Sequence, residues 1–167
     1  MTSAVVHDLE AGFTLTDPIT GLPKPAVQYE HLQLALQRAR ASGEQVGVVV
    51  FDIDDFGRID RELGWGYGDR VLRGVGERIR SVLRDDDMVA RLGGDQFAIV
   101  CERLADEADL TRVIDRVERA LVVPLELDGH PIELTISLGA ALGPGTTRPR
   151  SLFAEAERML YETRGAL

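Results

Sequence analysis

The sequence is poor in the residue types that build disulfide scaffolds and transition-metal sites. Its 167 residues include a single cysteine, Cys101, and three histidines. One cysteine excludes an internal disulfide and is expected of a protein from a reducing compartment. Cys101 stands in an apolar run, where cysteine generally packs as a small hydrophobic side chain. The histidines share no metal-ligand spacing, so the sequence gives no support for a zinc site.

Long apolar runs and an excess of positive charge are also missing. No stretch reaches the roughly 18 to 20 apolar residues that cross a bilayer, and the N-terminus lacks the pattern of a secretion signal. The formal net charge is −9, which disfavours nucleic acids and anionic membrane surfaces because both reward basic patches. We therefore expect a cytoplasmic protein that neither binds nucleic acid nor inserts into a membrane.

The length suits one domain with a core of its own. We expect a short N-terminal arm over residues 1–15 and a single domain over residues 16–167. Apolar spacing predicts helices over 25–42, 67–83, 107–121 and 151–163, with Ser151 as the N-cap of the last.

Strands are predicted at 46–53 and in two hairpins, the second of which joins 125–127 to 132–141. Helices mixed with hairpins predict an α+β fold. We expect a mixed, largely antiparallel central sheet of about five strands, flanked by helices.

The most informative stretch is 88–101, where two apolar runs flank Gly93-Gly94-Asp95-Gln96. Apolar runs joined by a short glycine-containing turn predict a β-hairpin. Paired glycines accept positive φ and let a ligand approach the main chain, which places Asp95 at an exposed tip. The alternative is an ordinary tight turn, since Gly-Gly and Gly-Asp are common turn dipeptides.

A second stretch, residues 47–56, is an unbroken apolar run followed by Asp52, Asp54 and Asp55. Such a run is typical of a strand buried on both faces. Its C-terminal end is where an open α/β sheet binds ligands. Oxygen ligands from two converging segments suit Mg²⁺, which takes one or two carboxylates together with substrate phosphates. We therefore expect Asp52 and Asp95 to form a magnesium site.

The two stretches and their spacing resemble the GGDEF family of diguanylate cyclases, whose signature is Gly-Gly-Asp/Glu-Glu-Phe on a β-hairpin. Here the signature is a degenerate one, Gly93-Gly94-Asp95-Gln96-Phe97. The resemblance extends from about Asp17 to Arg164. Its further landmarks are Asp17-Pro18-Ile19-Thr20-Gly21-Leu22-Pro23, Gly68-Asp69, Thr135-Ile136-Ser137-Leu138-Gly139 and Leu160-Tyr161. It implies the palm-like fold of nucleotidyl cyclases and a role in bacterial cyclic di-GMP signalling.

The resemblance also implies roles for single residues. Mg²⁺, bound together with GTP, would be held by Asp52, the Ile53 carbonyl and Asp95. The catalytic positions would be Asp95 and Gln96. The nucleotide contacts carried over from the family are Asp60, Asp69, Arg91, Gly93, Gly94 and Arg164. Because a diguanylate cyclase joins two GTP molecules held by two subunits, a homodimer or a regulatory protein is the expected partner.

Several positions depart from the family pattern. Gln96 stands where the family has a second acid, and glutamine keeps an acceptor oxygen but loses the charge and the capacity to act as a base. Gly57 replaces a phosphate-contacting lysine, and Asp60 replaces an asparagine that contacts guanine. Arg164 keeps the charge of a family lysine with a different reach. We expect weakened metal and nucleotide binding and inefficient turnover.

The inhibitory product site of the family is better kept, because Arg84 and Asp87 reproduce its Arg-x-x-Asp pattern. An arginine fork suits a phosphate or the O6/N7 edge of guanine, and a carboxylate suits the N1–H and N2–H donors. The alternative is a charged, solvated turn between a helix and a strand.

Three functions are compatible with these residues. The first is a binding module that senses cyclic di-GMP through Arg84 and Asp87, or GTP through the former active site. The second is a slow diguanylate cyclase that tolerates Gln96. The third is a structural partner domain that binds no nucleotide. The losses at Gln96, Gly57 and Asp60 favour the first over the second, and the retained acids and Arg84 favour it over the third.

Overall fold

The computed structural model describes residues 14–64 and 66–166, so most of the arm predicted over residues 1–15 lies outside the described residues. Within these residues the helices are α1 (Pro25–Ser42), α2 (Phe56–Leu63), α3 (Tyr67–Val82), α4 (Glu107–Val122) and α5 (Pro149–Gly165). The strands are β1 (Gln45–Ile53), β2 (Met88–Gly93), β3 (Gln96–Leu104), β4 (Leu125–Leu127), β5 (His130–Ile132) and β6 (Ile136–Pro144).

Four strands form the central sheet in the order β2-β3-β1-β6, and every neighbouring pair is antiparallel. The prediction of an α+β fold with a largely antiparallel sheet is therefore confirmed. The predicted parallel component and fifth strand are wrong for the part of the chain that the structure describes. β1 and β2 run in the same direction, but β3 lies between them and pairs with both.

The strand predicted over 132–141 is divided in two. Its first residue belongs to β5, which pairs only with β4 in a separate two-stranded sheet. Asp128 and Gly129 form the tight turn of this ribbon, both with positive φ (52° and 77°). β6 instead pairs with β1 along its whole length, from Gln45–Pro144 to Ile53–Ile136.

β1 lies at the centre of the sheet and contributes to two separate cores. Val49, Phe51 and Ile53 pack with α3 and α4 on one face. Val48 and Val50 pack with α1 and α5 on the other. The predicted burial of this strand on both faces is confirmed, and its alternation fixes which side chains point towards each helical layer.

The helix boundaries follow from local residues. α1 begins at Pro25, whose fixed φ suits a first helical position, and ends at Gly43, which is left-handed with φ 78° and donates to the Ala39 carbonyl. α5 begins at Pro149 and not after Ser151, so the predicted N-cap is wrong. The short helix α2 was not predicted, since eight residues give too few turns for a clear periodicity.

Candidate functional site

The site is assembled where the end of β1 lies beside the start of β3. Asp52 pairs with Gln96 of β3 on one side and with Ser137 of β6 on the other. Both Asp52 and Gln96 continue the row of side chains that faces α1 and α5, because Phe51 and Phe97 point to the opposite face, where their rings stack 5.2 Å apart. The degenerate signature position thus lies directly across the sheet from the predicted metal ligand.

Asp52 is a buried carboxylate with one cationic partner. Its side chain is 4% exposed, and its Oδ2 lies 2.8 Å from Nη1 of Arg164. Its Oδ1 is buried and has no hydrogen-bond partner among the residues that the structure describes. Burial raises the pKa of Asp52; Arg164 opposes this effect, and the charges of Asp95 and Asp54 add to it.

The hairpin brings Asp95 to the end of β1. The Asp95 carbonyl accepts a hydrogen bond of 3.3 Å from the Ile53 amide. The structure therefore brings together the three residues predicted to hold the metal, and their function as ligands stays a prediction. In the described residues no group of three or more histidine, cysteine or acidic side chains is arranged to hold a metal ion. The predicted set has only two carboxylates and a main-chain carbonyl.

The acids that follow Asp52 have structural roles. Asp54 accepts hydrogen bonds of 2.7 Å from the hydroxyls of Thr135 and Ser137, and its amide donates to the Thr135 carbonyl. These bonds tie the end of β1 to the start of β6. Asp55 has a left-handed conformation, φ 53°, which turns the chain into α2. A non-glycine residue with that geometry carries strain of the kind found beside functional sites.

The two signature glycines give the hairpin tip its shape and its openness. Gly93 and Gly94 have φ of 142° and 52°, a region that side chains disfavour. Among the described residues no atom lies within 4 Å of the position that a Cβ would take at either glycine. A ligand could therefore approach this main chain closely, as was predicted for the nucleotide.

Arg91 holds the base of this tip. Its guanidinium donates twice to the Gly94 carbonyl, at 3.0 and 2.8 Å, and once to Asp17 at 2.9 Å. Burial alone would raise the pKa of Asp17, but hydrogen bonds from Thr20 and Arg91 bring it below its ordinary value. The predicted phosphate contact of Arg91 stays a prediction; in this structure its donors bind the protein itself.

The predicted guanine contacts lie at the junction of α2 and α3. Asp60 is exposed on α2, and a Cβ on Gly68 would come within 2.4 Å of its Oδ1. Asp69 is exposed in the first turn of α3. The structure thus places both carboxylates at the same junction of helices, and their contacts with guanine stay predictions.

Arg84 and Asp87 are bonded to each other and to β3 in a turn whose other residues, Asp85 and Asp86, are exposed. The Asp87 side chain is fully buried, and its carboxylate accepts from the Arg84 amide and Nε and from the Glu102 amide, at 3.2, 3.3 and 3.2 Å. Arg84 also donates to the Glu102 carbonyl at 2.6 Å but remains 43% exposed. Arg84 is the more exposed member of the pair, and its function in binding a ligand stays a prediction.

Two features around this turn were not predicted. Three arginines of α4, Arg112, Arg116 and Arg119, line a cavity of about 490 Å³ together with Arg84. Their spacing along one helix could have indicated a basic face. Glu102, buried on β3, accepts two bonds of 2.8 and 2.9 Å from Arg38 of α1. An acid inside an apolar strand is the signal for such a partner, since buried charges are generally paired.

Comparisons with known proteins agree with this geometry. The family model that matches, described as "Diguanylate cyclase, GGDEF domain", covers residues 14–166. Diguanylate cyclase TpbB of Pseudomonas aeruginosa is 37% identical over 147 residues, which are 87% of this chain and 34% of TpbB. Diguanylate cyclase DgcP of the same organism is 33% identical over 153 residues, 91% of this chain and 23% of DgcP. The chain thus spans about a third of the length of TpbB and about a quarter of that of DgcP.

Comparison with solved structures agrees with the family match. The isolated GGDEF domain of TpbB from Pseudomonas aeruginosa superposes with a TM-score of 0.86 at 36% identity, covering 91% of this chain and 90% of that one. A sensory box/GGDEF family protein from Caulobacter crescentus gives a TM-score of 0.85 at 29% identity, covering 92% and 100%. Across residues 14–64 and 66–166, no helix combines the length and the apolar character that a bilayer crossing requires.

Proposed function

Because the chain belongs to the GGDEF family of diguanylate cyclases, we propose that it is a degenerate member that binds cyclic di-GMP or GTP and acts in signalling with little or no cyclase activity. One observation carries the proposal: Gln96 occupies the signature acid position directly opposite Asp52 in the sheet. A neutral amide there can neither add charge to a metal site nor accept a proton from an attacking hydroxyl.

The residues at the end of β1 fit the Mg²⁺ ion that the resemblance implies. The buried Asp52 Oδ1, which has no hydrogen-bond partner within residues 14–64 and 66–166, is a hard oxygen ligand of the kind that this ion takes. Asp52, the Ile53 carbonyl and Asp95 would hold the ion, which would neutralise the triphosphate of a bound GTP. Without a charged group at Gln96, this set supports binding better than turnover, because losing a charged catalytic group costs orders of magnitude in rate.

The surface around Arg84 supports binding of the cyclic dinucleotide. Arg84 is already oriented by Asp87 and by the Glu102 carbonyl, so little side-chain entropy is lost when it meets a ligand. Arg116 and Arg119 add positive charge to the same cavity, which also holds the ion pair of Arg112 with Asp109, in a protein whose net charge is −9. Two phosphates and two guanine edges are the chemistry that such arginines recognise.

A second candidate is a slow diguanylate cyclase, and the observation that favours it is the intact grouping of Asp52, Ile53 and Asp95. Synthesis of cyclic di-GMP needs two nucleotide-holding subunits. A second copy of this chain, or a regulatory protein that pairs with it, is therefore the partner that we propose, in the cytoplasm. A structural domain that binds no nucleotide is the third outcome that the experiment must be able to detect.

Isothermal titration of the full chain with cyclic di-GMP, and separately with GTP and Mg²⁺, tests the proposal beside a turnover assay. Arg84→Ala should weaken cyclic di-GMP binding by about tenfold to hundredfold, since one hydrogen bond from a charged donor contributes about 1.5 to 3 kcal/mol. Arg116→Ala should weaken it as well without removing a main-chain contact of the turn. Gln96→Glu and the exposed control Arg150→Ala should leave it nearly unchanged.

Each result separates the three candidates. Binding without turnover supports the binding module, and readily measured multiple turnover makes the chain a cyclase. If neither nucleotide binds at high micromolar concentration, the chain is a structural partner domain that binds no nucleotide. Equal affinity of the wild type, Arg84→Ala and Arg116→Ala for cyclic di-GMP would place the ligand elsewhere.

A further inference from the structure

The ion pair between Asp52 and Arg164 joins a fixed, buried acid to a cation that is half in solvent. The Asp52 side chain is 4% exposed and the Arg164 side chain 53%, with 2.8 Å between Oδ2 and Nη1. Asp52 can change its position little, because it is flanked by β3 and β6 on both sides of β1. Arg164 has a long stem with several rotatable bonds and room to move.

The neighbouring acids make a cation at this place necessary. Asp95 and Asp54 lie near enough for their charges to act on Asp52. Asp54 is bound by the hydroxyls of Thr135 and Ser137. In the described residues, Arg164 is the one side chain that forms an ion pair with Asp52. Without it, a buried carboxylate would face two other acids with no compensating charge.

The helix that carries Arg164 is held by close packing, whereas the Arg164 side chain is half exposed beyond its ion pair with Asp52. α5 lies so close to β6 that a Cβ on Gly139 would come within 2.1 Å of the Leu160 amide nitrogen and 2.3 Å of the Ala156 carbonyl. Arg164 stands in the last turn of this helix, where the helix dipole favours a cation. The ion pair at Asp52 can therefore be broken by a movement of the Arg164 side chain alone, without a movement of the backbone.

We propose that Arg164 is a displaceable resident cation, which neutralises Asp52 in the metal-free protein and is expelled when a divalent metal binds that carboxylate. The inference rests on the proposed metal and nucleotide binding at this site. A divalent ion such as Mg²⁺ sits about 2.0 to 2.1 Å from its oxygen ligands. A guanidinium held at 2.8 Å from the same carboxylate would leave two cations in contact inside a buried site, so the two compete.

Displacement of Arg164 by the metal couples metal binding to nucleotide binding. The expelled guanidinium, which is already half exposed, would be free to pair with the phosphates of a bound nucleotide. Arg164 therefore opposes the metal when it binds alone and favours the metal together with nucleotide. By reciprocity the nucleotide raises the metal affinity by the same factor as the metal raises that of the nucleotide, and typical factors are about 5 to 150.

Mn²⁺ alone is the probe, measured from the electron paramagnetic resonance signal of the free ion against the nucleotide-free full chain. Arg164→Gln should bind Mn²⁺ about fivefold or more tightly than the wild type. Arg164→Lys, which keeps the charge, should stay near the wild type. Arg150→Gln, which removes an exposed arginine from the first turn of the same helix, should not change the affinity. Adding Asp52→Asn to Arg164→Gln should abolish the gain.

Mn²⁺ affinity of Arg164→Gln that is equal to or below that of the wild type overturns the inference. Far-UV circular dichroism checks folding, and Arg164→Met gives the same comparison should the glutamine variant fail to fold. A second titration adds a non-hydrolysable GTP analogue: it should tighten Mn²⁺ binding in the wild type and do so less in Arg164→Gln. Failure of the analogue to bind any variant would refute nucleotide binding, whereas the measurements with Mn²⁺ alone still decide the role of Arg164.

Discussion

Replacing Asp52 by asparagine should stabilise this protein at neutral pH, although it removes one partner of an ion pair. Asp52 is 4% exposed and carries a carboxylate oxygen with no hydrogen-bond partner among the described residues, so its charge is poorly solvated. Arg164, its partner, is 53% exposed and can be hydrated once released. Removing one partner of a buried ion pair is costly when the other charge stays buried, whereas replacing the whole pair is often neutral or stabilising by about 1 to 4 kcal/mol. Because Arg164 is left in solvent and not buried, the second case applies here. We expect Asp52→Asn to raise the free energy of unfolding by about 1 kcal/mol. This is the lower end of the range of about 1 to 4 kcal/mol for replaced ion pairs, because the amide remains polar.

The gain should depend on pH in a definite direction. Burial raises the pKa of Asp52 above the 3.8 of an unperturbed carboxyl group. Below that value both the folded and the unfolded chain carry a protonated Asp52, and the wild type and variant should have similar stability. As the pH rises, the unfolded chain ionises first, so the free energy of unfolding of the wild type falls relative to that of Asp52→Asn. The difference is complete above the pKa of the folded protein.

Urea unfolding followed by circular dichroism between acid and neutral pH measures this difference, and a rise in Tm of about 2 to 4 °C should accompany it. Asp128→Asn is the matched control of opposite sign. A hydrogen bond from Arg70, with another from Tyr67, lowers the pKa of Asp128 to about 2. Asp128 therefore contributes stability that is present above 3.8 and is lost as the pH falls through about 2. An Asp52→Asn protein that is less stable than the wild type at neutral pH would refute the reasoning, since the ion pair would then outweigh the burial of the charge.

Three further predictions concern the hairpin and the packing of α5. If Gln96 is the main defect, Gln96→Glu should raise cyclic di-GMP synthesis, measured by chromatography of the product. The expected rise is about a hundredfold, the lower end of what an acid–base group contributes. No response would implicate the losses at Gly57 and Asp60. In a urea titration, Gly139→Ala should lower the free energy of unfolding by about 1 to 3 kcal/mol because its Cβ meets the backbone of α5. Gly165→Ala, with open space around it among the described residues, should have little effect in the same titration. Arg91→Lys should lower the free energy of unfolding by about 1 to 3 kcal/mol because one ammonium cannot replace three charged hydrogen bonds. A variant as stable as the wild type would show that these bonds contribute little. Arg73→Lys, which loses a bond to one carbonyl, is its control.

The parts of the fold that could be predicted are those with a strong local signal. The run at 46–53 has no polar residue before Asp52, so burial on both faces followed directly from its composition. α1 was bounded correctly because Pro25 and Gly43 limit the chain at both ends. The break between β5 and β6 had no such signal. It depends on the bonds of Asp54 to Thr135 and Ser137, between residues about 80 positions apart in sequence.

The candidate site shows the same division. The residues at the hairpin and at the end of β1 could be predicted because spacing and residue type are visible in the sequence. What these side chains bind could not be predicted, since it is decided by tertiary contacts. Nothing local indicates that Arg91 binds the Gly94 carbonyl, that Asp87 is fully buried, or that Arg164 reaches Asp52 from the far end of the chain.

The central position of β1 in the sheet has a consequence for how the protein folds. One edge of β1 is covered by β3 and the other by β6, so its partners range from Gln96 to Pro144. Closing loops of this length slows folding, and a strand whose edges stay open until late is exposed to association with other chains. During synthesis the apolar strand emerges long before β6 does. A chain that ended before Ile136 would keep one edge of β1 unpaired, and we expect truncation there to produce aggregation instead of a smaller folded domain.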